Sequence, residues 1–274
     1  PARVRYNGFD VAPHLVGTSE SGRDVMIRKG SLVEVKTQRN SMSGTLPTQL
    51  AQLTGLTTLH LEGNKPMSGT ISSGLAAAWS LQSLGLGDNA ISGTTPTELC
   101  HRDTRWHWSL GATKLSGTIP TEVGYLTLLT GAFQLGLNEM TGVMPTELGK
   151  MTGLTDWFTF QDNDLTSSIP TEVGMLSKLK IRFRTYGNQI TGPFPTEIGS
   201  LTGMSAKLDA NSNEYTSTIP TEIGRLTKME TYMVSKCAHP QPPEPLNHAP
   251  PPRGALYSCT PHKSLHEYSL RLSL

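Results

Sequence analysis

The chain has 274 residues, of which 36% are apolar and 6% aromatic, and its formal net charge at pH 7 is +1. This near-neutral balance gives no electrostatic basis for binding nucleic acid or an anionic membrane, so we expect neither partner. No uncharged apolar stretch reaches the roughly 18 residues of a membrane helix, so we expect no membrane insertion within the chain.

The first 30 residues contain only a faint repeat, and we interpret residues 1–30 as a degenerate amino-terminal segment or a partial repeat. The sequence begins with Pro1, which we interpret as a processed or truncated start. Its three cysteines are too few for a disulfide framework, although Cys237 and Cys259 both follow the repeats and are a candidate pair.

A repeat of 24 or 25 residues dominates the chain from residue 31 to residue 236 and gives about eight copies and a partial one. The segment "SGTIPTEVG" around Pro120 returns as "TGVMPTELG", "TSSIPTEVG", "TGPFPTEIG" and "TSTIPTEIG". A column of asparagines keeps the same step, with Thr113 filling its one gap: Asn40, Asn64, Asn89, Asn138, Asn163, Asn188 and Asn213.

Each repeat is predicted to form one coil of a solenoid. Alternating apolar residues such as Leu59 and Leu61 indicate a short strand with one buried face. Stacked asparagines are expected to bond backbone groups where the chain turns, because buried polar groups need partners. The proline is expected at the first position of a short helical turn, with glutamate near the positive end of that turn. No coil buries its own apolar face, so neighbours must stack.

The segments "LTGLTTLHLEGNKPMSG" from Leu53 and "LQSLGLGDNAISGTTPTELC" from Leu81 resemble the plant-type class of leucine-rich repeats. The resemblance covers about residues 32–236. It implies an α/β fold: a right-handed solenoid with a parallel sheet on its concave face and short helical or 3-10 turns on the convex side. It also implies a non-catalytic scaffold that binds protein or glycan partners.

The sequence departs from that class in three places. Repeats from Val123 onward carry one extra residue before the strand, and anchoring on the asparagine keeps Phe133, Phe158, Phe183 and Leu208 inward. The segment "CHRDTRWHW" predicts a local bulge. The paired-cysteine cap of plant ectodomains is missing, and no Asn-x-Ser/Thr sequon occurs, which weighs against the extracellular or cell-surface location that the resemblance favours.

The outward positions of the strands are predicted to form a strip along the concave face. Tryptophan, tyrosine and arginine anchor protein interfaces most often, and these types gather in the second half of the strip. The candidate partner-binding residues are therefore Trp157, Thr159, Arg182, Arg184, Tyr186, Lys207 and Asp209.

Other patterns contain reactive or metal-ligating residue types, but we predict no metal, no cofactor and no catalysis. The glutamate column from Glu98 to Glu222 is interpreted as turn capping rather than cation binding. The spacing of Cys100, His101, Asp103 and His107 matches no strong zinc pattern. No Walker loop, G-x-S-x-G, H-E-x-x-H or kinase motif is present.

Residues 237–274 are predicted to form a proline-rich, largely disordered tail, whose P-x-x-P spacings could dock an SH3-like groove but are more typical of linkers. We predict that the chain is a monomeric recognition scaffold resembling plant receptor-like ectodomains. A second hypothesis is a soluble inhibitor of a secreted hydrolase, similar to polygalacturonase inhibitors. A third is ice binding through the threonine column from Thr97 to Thr221, which lies in the turns.

Overall fold

The computed structural model describes residues 5–6, 9–10, 24–28, 31–101 and 106–233, and its longest sheet has ten strands. This inner sheet is parallel except at its first pair, where Asp24–Arg28 runs antiparallel to Ser31–Lys36. The parallel strands continue at Thr58–His60, Ser83–Gly85, His107–Ser109, Ala132–Gln134, Trp157–Thr159, Arg182–Arg184, Lys207–Asp209 and Thr231–Met233. The predicted right-handed solenoid, with this sheet on its concave face, is confirmed.

The opposite side of the coils carries 3-10 turns, as predicted, and no longer helix among the described residues. They span Thr48–Gln52, Ser73–Ala77, Thr97–His101, Thr121–Tyr125, Thr146–Lys150, Thr171–Met175, Thr196–Ser200 and Thr221–Arg225. Pro120 is extended, with ψ 141°, and its carbonyl accepts a hydrogen bond from the Val123 amide at 3.1 Å. The proline therefore caps the turn, one position earlier than predicted.

A second parallel sheet of six strands, which was not predicted from the sequence, covers one flank of the solenoid. This lateral sheet consists of Gly44–Thr45, Met67–Thr70, Ala90–Gly93, Lys114–Thr118, Glu139–Val143 and Asp164–Thr166. Gly69 has φ +86°, and a Cβ there would lie 2.8 Å from Cγ2 of Thr45 in the preceding coil. Glycine is required at this position by both the backbone conformation and the close approach.

The predicted asparagine ladder is confirmed. The Asn163 amide donates to the carbonyls of Leu135 in the preceding coil and Phe160 in its own coil, both at 3.0 Å. Its Oδ1 accepts from the Met140 amide, also at 3.0 Å. Thr113 fills the gap through its hydroxyl, which donates to Leu110 O at 3.1 Å. Each asparagine thus satisfies backbone groups that neither sheet pairs.

Aromatic side chains form a continuous spine in the core between the sheets and the turns. Ring centroids are 6.4 Å apart for Trp108 and Phe133, 6.5 Å for Phe133 and Phe158, and 5.3 Å for Phe158 and Phe183. The inward placement predicted for Phe133, Phe158, Phe183 and Leu208 is confirmed, since all four are fully buried. Neighbouring coils therefore share one apolar core, which no single coil could close.

Several predictions fall on parts of the chain that the structure does not describe. Residues 102–105, where the bulge was expected, and residues 237–274, the proline-rich tail with Cys237 and Cys259, lie outside the described residues. The strand that follows residues 102–105 keeps its register with the preceding strand, since His107 pairs with Ser83. In the part of the chain that the structure covers, no helix has both the length and the apolar character needed to cross a bilayer.

Candidate partner-binding surface

The strand residues that face away from the core form two parallel columns along the concave face, here called the concave strip. The first column is Glu34, Thr58, Ser83, His107, Ala132, Trp157, Arg182 and Lys207. The second column is Lys36, His60, Gly85, Ser109, Gln134, Thr159, Arg184 and Asp209. This register matches the predicted alternation of the strands.

A neutral histidine pair occupies the first half of the strip. The rings of His60 and His107 lie 5.6 Å apart, and Nε2 of His60 is 2.8 Å from the Ser83 hydroxyl. Burial, followed by the proximity of His107 and Lys36, lowers the pKa of His60 to about 4. Burial also lowers the pKa of His107. Both rings are therefore uncharged at neutral pH.

An arginine–tryptophan stack occupies the second half of the strip. The Arg182 guanidinium carbon lies 4.8 Å from the ring centroid of Trp157, its register partner on the adjacent strand. Burial, and then the neighbouring charge of Arg184, lowers the pKa of Arg182, which nevertheless stays a cation at any physiological pH. Stacking holds the guanidinium in place, so less side-chain entropy is lost when a partner binds.

The cations at this end of the strip differ in their ion pairing. Lys207 Nζ lies 3.1 Å from Oδ2 of Asp209, so these two charges offset each other. Nε of Arg184 is buried without a hydrogen-bond partner among the described residues. Tyr186 hydrogen-bonds Asp162, whose pKa is raised chiefly by burial. Among the cations here, Arg182 and Arg184 have no ion-pair partner in the part of the chain that the structure describes, and they suit a negatively charged group on a ligand.

The structure brings the seven candidate residues together on one face, but it does not expose them equally. Thr159 is 5% exposed and Asp209 is 2% exposed, so both are almost fully buried. Their role as contact residues stays a prediction, and they lie deeper in the surface than the other five. The side chains that stay accessible are those of Trp157, Arg182, Arg184, Tyr186 and Lys207.

A glycine trough, which was not identified from the sequence, runs along the third outward position of the coils. Its floor is Gly87, Gly111 and Gly136, and Glu62 and Gln161 close its two ends. The trough has a volume of about 220 Å³. The sequence signal for it was glycine at equivalent positions of three successive repeats, where the flanking repeats carry long side chains.

The remaining patterns show no converging chemistry among the residues that the structure describes. In the turn column, each threonine hydroxyl donates to the glutamate that follows it, as Thr121 does to Glu122 at 3.3 Å. Cys100 is a buried free thiol whose pKa is raised to about 12, first by burial and then by Glu122 and Glu98. No group of three metal-ligating side chains occurs among the described residues, and Asp103 lies outside them.

Comparison with known proteins gives matches among solved structures. No family model and no curated protein matches the sequence. The ectodomain of the plant membrane receptor kinase GASSHO1/SCHENGEN3 from Arabidopsis thaliana, solved with CASPARIAN STRIP INTEGRITY FACTOR 2, is 32% identical with a TM-score of 0.69. That match covers 75% of this chain and 24% of the receptor chain.

Two further structures extend the comparison. The plant peptide hormone receptor RGFR1, solved in complex with RGF2, is 27% identical with a TM-score of 0.70, over 74% of this chain and 32% of that chain. A plant ice-binding protein is 22% identical with a TM-score of 0.61, over 77% of this chain and 75% of its own, which shows the fold alone. The chain thus spans only about a quarter to a third of the two receptor ectodomains.

The stacked coils, the asparagine ladder and the two parallel sheets define a leucine-rich-repeat solenoid. Together with the repeat pattern and the similarity to plant receptor ectodomains, they show that the chain belongs to the plant-type class of leucine-rich-repeat proteins.

Proposed function

We propose that the chain is a non-catalytic recognition scaffold that binds a protein or glycan partner through the second half of the concave strip. The observation that carries the proposal is the Arg182–Trp157 stack with Arg184 beside it. These residue types supply interface anchors, and the stack positions a charge before any partner arrives. The two receptors with the same coil architecture were solved in complex with CASPARIAN STRIP INTEGRITY FACTOR 2 and with RGF2, and RGFR1 is a peptide hormone receptor, which supports a peptide-like partner.

The charges on this surface favour a partner with an acidic group. Arg182 and Arg184 project from the same short strand, and the nearby Asp209 is paired with Lys207 rather than with either arginine. A carboxylate of the partner would meet two guanidinium groups at once, and charge-assisted hydrogen bonds of this kind are stronger than neutral ones. The chain is proposed to act as a monomer.

Selection from a peptide library tests the proposal even though the natural partner is unidentified. A library of displayed linear peptides is panned against the wild-type chain and against the W157A/R182A/R184A variant. We expect acidic peptides to be enriched on the wild type and not on the variant, with unchanged circular dichroism of the variant. Equal enrichment on both proteins would remove this surface from consideration.

A hydrolase inhibitor would use the same surface on a different partner. Co-purification with a secreted hydrolase and loss of its activity would assign that function. The inhibitor then has to lose its effect in the W157A/R182A/R184A variant, because the contact surface is shared between the two hypotheses.

Ice binding is a second candidate function, and the lateral sheet favours it more than the turn column does. In the turns, the threonine hydroxyls are tied to carboxylates. On the lateral sheet and directly beside its strands, accessible hydroxyls recur once per coil in two sets, and none of the second set hydrogen-bonds another described residue. The sets are Ser43, Ser68, Ser92 and Ser116, and Thr45, Thr70, Thr94 and Thr118. Thermal hysteresis that disappears in T70L/T94L would support this candidate, and its absence in the wild type would reject it.

A further inference from the structure

The glycine trough is open because of the way its coils stack. A Cβ on Gly87 would lie 2.7 Å from the carbonyl oxygen of Gly111, and a Cβ on Gly111 would lie 3.0 Å from that of Gly136. Side chains are therefore excluded from the floor unless the backbone shifts. The result is a narrow channel about 220 Å³ in volume across three successive coils.

The residues before and after the floor along the chain differ in character. Ser109, Gln134 and Thr159 precede it and carry hydroxyl or amide groups. Ala112 and Leu137 follow it and, with the Cα atoms of the glycines, make one side of the channel apolar. A channel of this shape accommodates an unbranched aliphatic chain better than a branched or planar group.

The charge of the trough is concentrated at one end. The carboxylates that line it are those of Glu62 and Asp88, and its lining contains no cationic residue. The Glu62 side chain is 23% exposed and lies directly over Gly85, whose Cβ would collide with the carboxylate. Oε2 of Glu62 is buried and has no hydrogen-bond partner among the described residues.

No neighbouring cation among the described residues compensates the Glu62 carboxylate. The nearest basic group is His60, whose Nδ1 lies 3.9 Å from Oε1 of Glu62. Burial keeps that ring neutral, because it lowers the pKa of His60 to about 4. Burial also raises the pKa of Glu62. A partly dehydrated carboxyl without a counter-charge is destabilising, and a cation that enters the trough would offset this cost.

We propose that the trough binds the lysine side chain of a protein partner. The aliphatic stem lies on the glycine floor beside Ala112 and Leu137, and the ammonium group lies above Gly87, where it donates to Glu62 and Asp88. Lysine buries such a stem while its charged end stays hydrated. The statement that the lysine belongs to a protein partner rests on the proposed function. The affinity of the trough for an alkylammonium group does not depend on it.

The trough and the arginine pair would then bind two different groups of the same partner. Five strand spacings separate the coil of Glu62 from that of Arg184, or about 24 Å. An extended peptide spans this distance in about seven residues at most, because the side chains of the lysine and of the acidic residue cover part of it. A partner with a lysine and an acidic group within that separation would engage both the trough and the arginine pair.

Nuclear magnetic resonance titration tests the trough directly, since glycine amides resonate in a separate nitrogen region. The probe is Nα-acetyl-lysine N-methylamide, and its neutral control is the norleucine analogue, which has the same four side-chain carbons and lacks the ammonium group. We expect saturable shifts of the Gly87 and Gly111 amides with the lysine probe alone. E62Q should weaken binding about tenfold, because a hydrogen bond to a charged group is lost. The matched control E139Q, which alters an exposed carboxylate on the lateral sheet, should leave the affinity unchanged.

The outcomes separate this inference from the proposed function. Equal shifts with the norleucine analogue, or undiminished affinity in E62Q, would overturn the lysine trough even if peptides bind at Arg182. Retained lysine binding in W157A/R182A/R184A is expected, because that variant leaves the trough intact. In a selected peptide, replacing its lysine by norleucine should weaken binding to the wild type but not to E62Q. Equal weakening with both proteins would contradict the partner assignment.

Discussion

The guanidinium group of Arg182 lies 4.8 Å from the ring centroid of Trp157, and the two residues face each other across adjacent strands of the inner sheet. Each side chain restrains the other, and both remain accessible from the concave face. The stack therefore gives the partner surface a fixed cation. Because this contact joins two coils, it forms only when the solenoid is correctly stacked.

Removing either member of the stack should weaken the binding of a selected acidic peptide. Arg182→Ala is expected to cost about 1–3 kcal/mol of binding free energy through the lost charge-assisted hydrogen bond. Trp157→Ala should cost less, and a double-mutant cycle should give a coupling of about 0.5–1 kcal/mol. Calorimetric titration measures these values. Lys178→Ala removes an exposed charge outside the strip and should have no effect; a loss equal to that of Arg182→Ala would indicate non-specific attraction.

Truncating a rung of the asparagine ladder should destabilise the solenoid. Asn163→Ala leaves the buried Met140 amide and the Leu135 and Phe160 carbonyls short of a partner. We expect a loss of about 1–3 kcal/mol in the free energy of unfolding, measured by urea titration. Asn211→Ala, whose side chain is partly exposed on the concave side, is the control and should change stability little. Similar losses in both variants would show that the ladder contributes no special stability.

The interlock of the lateral sheet gives a steric prediction. Gly69→Ala should destabilise the fold by about 1–3 kcal/mol, because alanine is strained at φ +86° and its Cβ meets the Thr45 methyl at 2.8 Å. Thr45→Ala in the same chain should restore part of this loss by removing the clash. Thermal unfolding of both single variants and the double variant measures it. Strict additivity would mean that the Thr45 contact is irrelevant.

The histidine pair predicts how stability depends on pH. Since the pKa of His60 falls from 6.5 to about 4 in the folded state, the ring is neutral in both states above about pH 6.5. Between these values the unfolded chain binds a proton that the folded chain does not, so stability is lost as the pH falls. Allowing for its partial exposure, His60 accounts for about 1–2 kcal/mol of this loss. His60→Gln should reduce the slope between pH 6.5 and 4, and an unaltered slope would contradict the assignment.

Much of the fold could be predicted because the repeat places each residue type in a fixed role. Anchoring the repeats on their asparagines gave the inward position of Phe133, Phe158 and Phe183 despite an inserted residue. The lateral sheet was not predicted, because its strands contain glycines with positive φ, such as Gly69, and lack a regular alternation of apolar and polar residues. Its accessible hydroxyls were consequently overlooked in favour of the threonines of the turns.

The position of the candidate surface could be predicted from the sequence, but the burial of its individual residues could not. Alternation places Thr159 and Asp209 on the concave strip, yet both are almost fully buried. The burial of a strip residue depends on the size and the side-chain conformation of residues about 25 positions away, in the neighbouring coils. The trough could not be predicted for the same reason. Glycine in a sequence usually indicates a turn, and only the fold places Gly87, Gly111 and Gly136 side by side.

The indole N–H signals of the tryptophans provide the most direct test of the proposed partner surface. Trp157 lies in the strip, whereas Trp79 and Trp106, which are 67% and 63% exposed, lie outside it. Titration with a selected acidic peptide should shift the Trp157 indole signal and leave those of Trp79 and Trp106 unchanged. Shifts confined to Trp79 and Trp106 would place the partner elsewhere and contradict the proposed function.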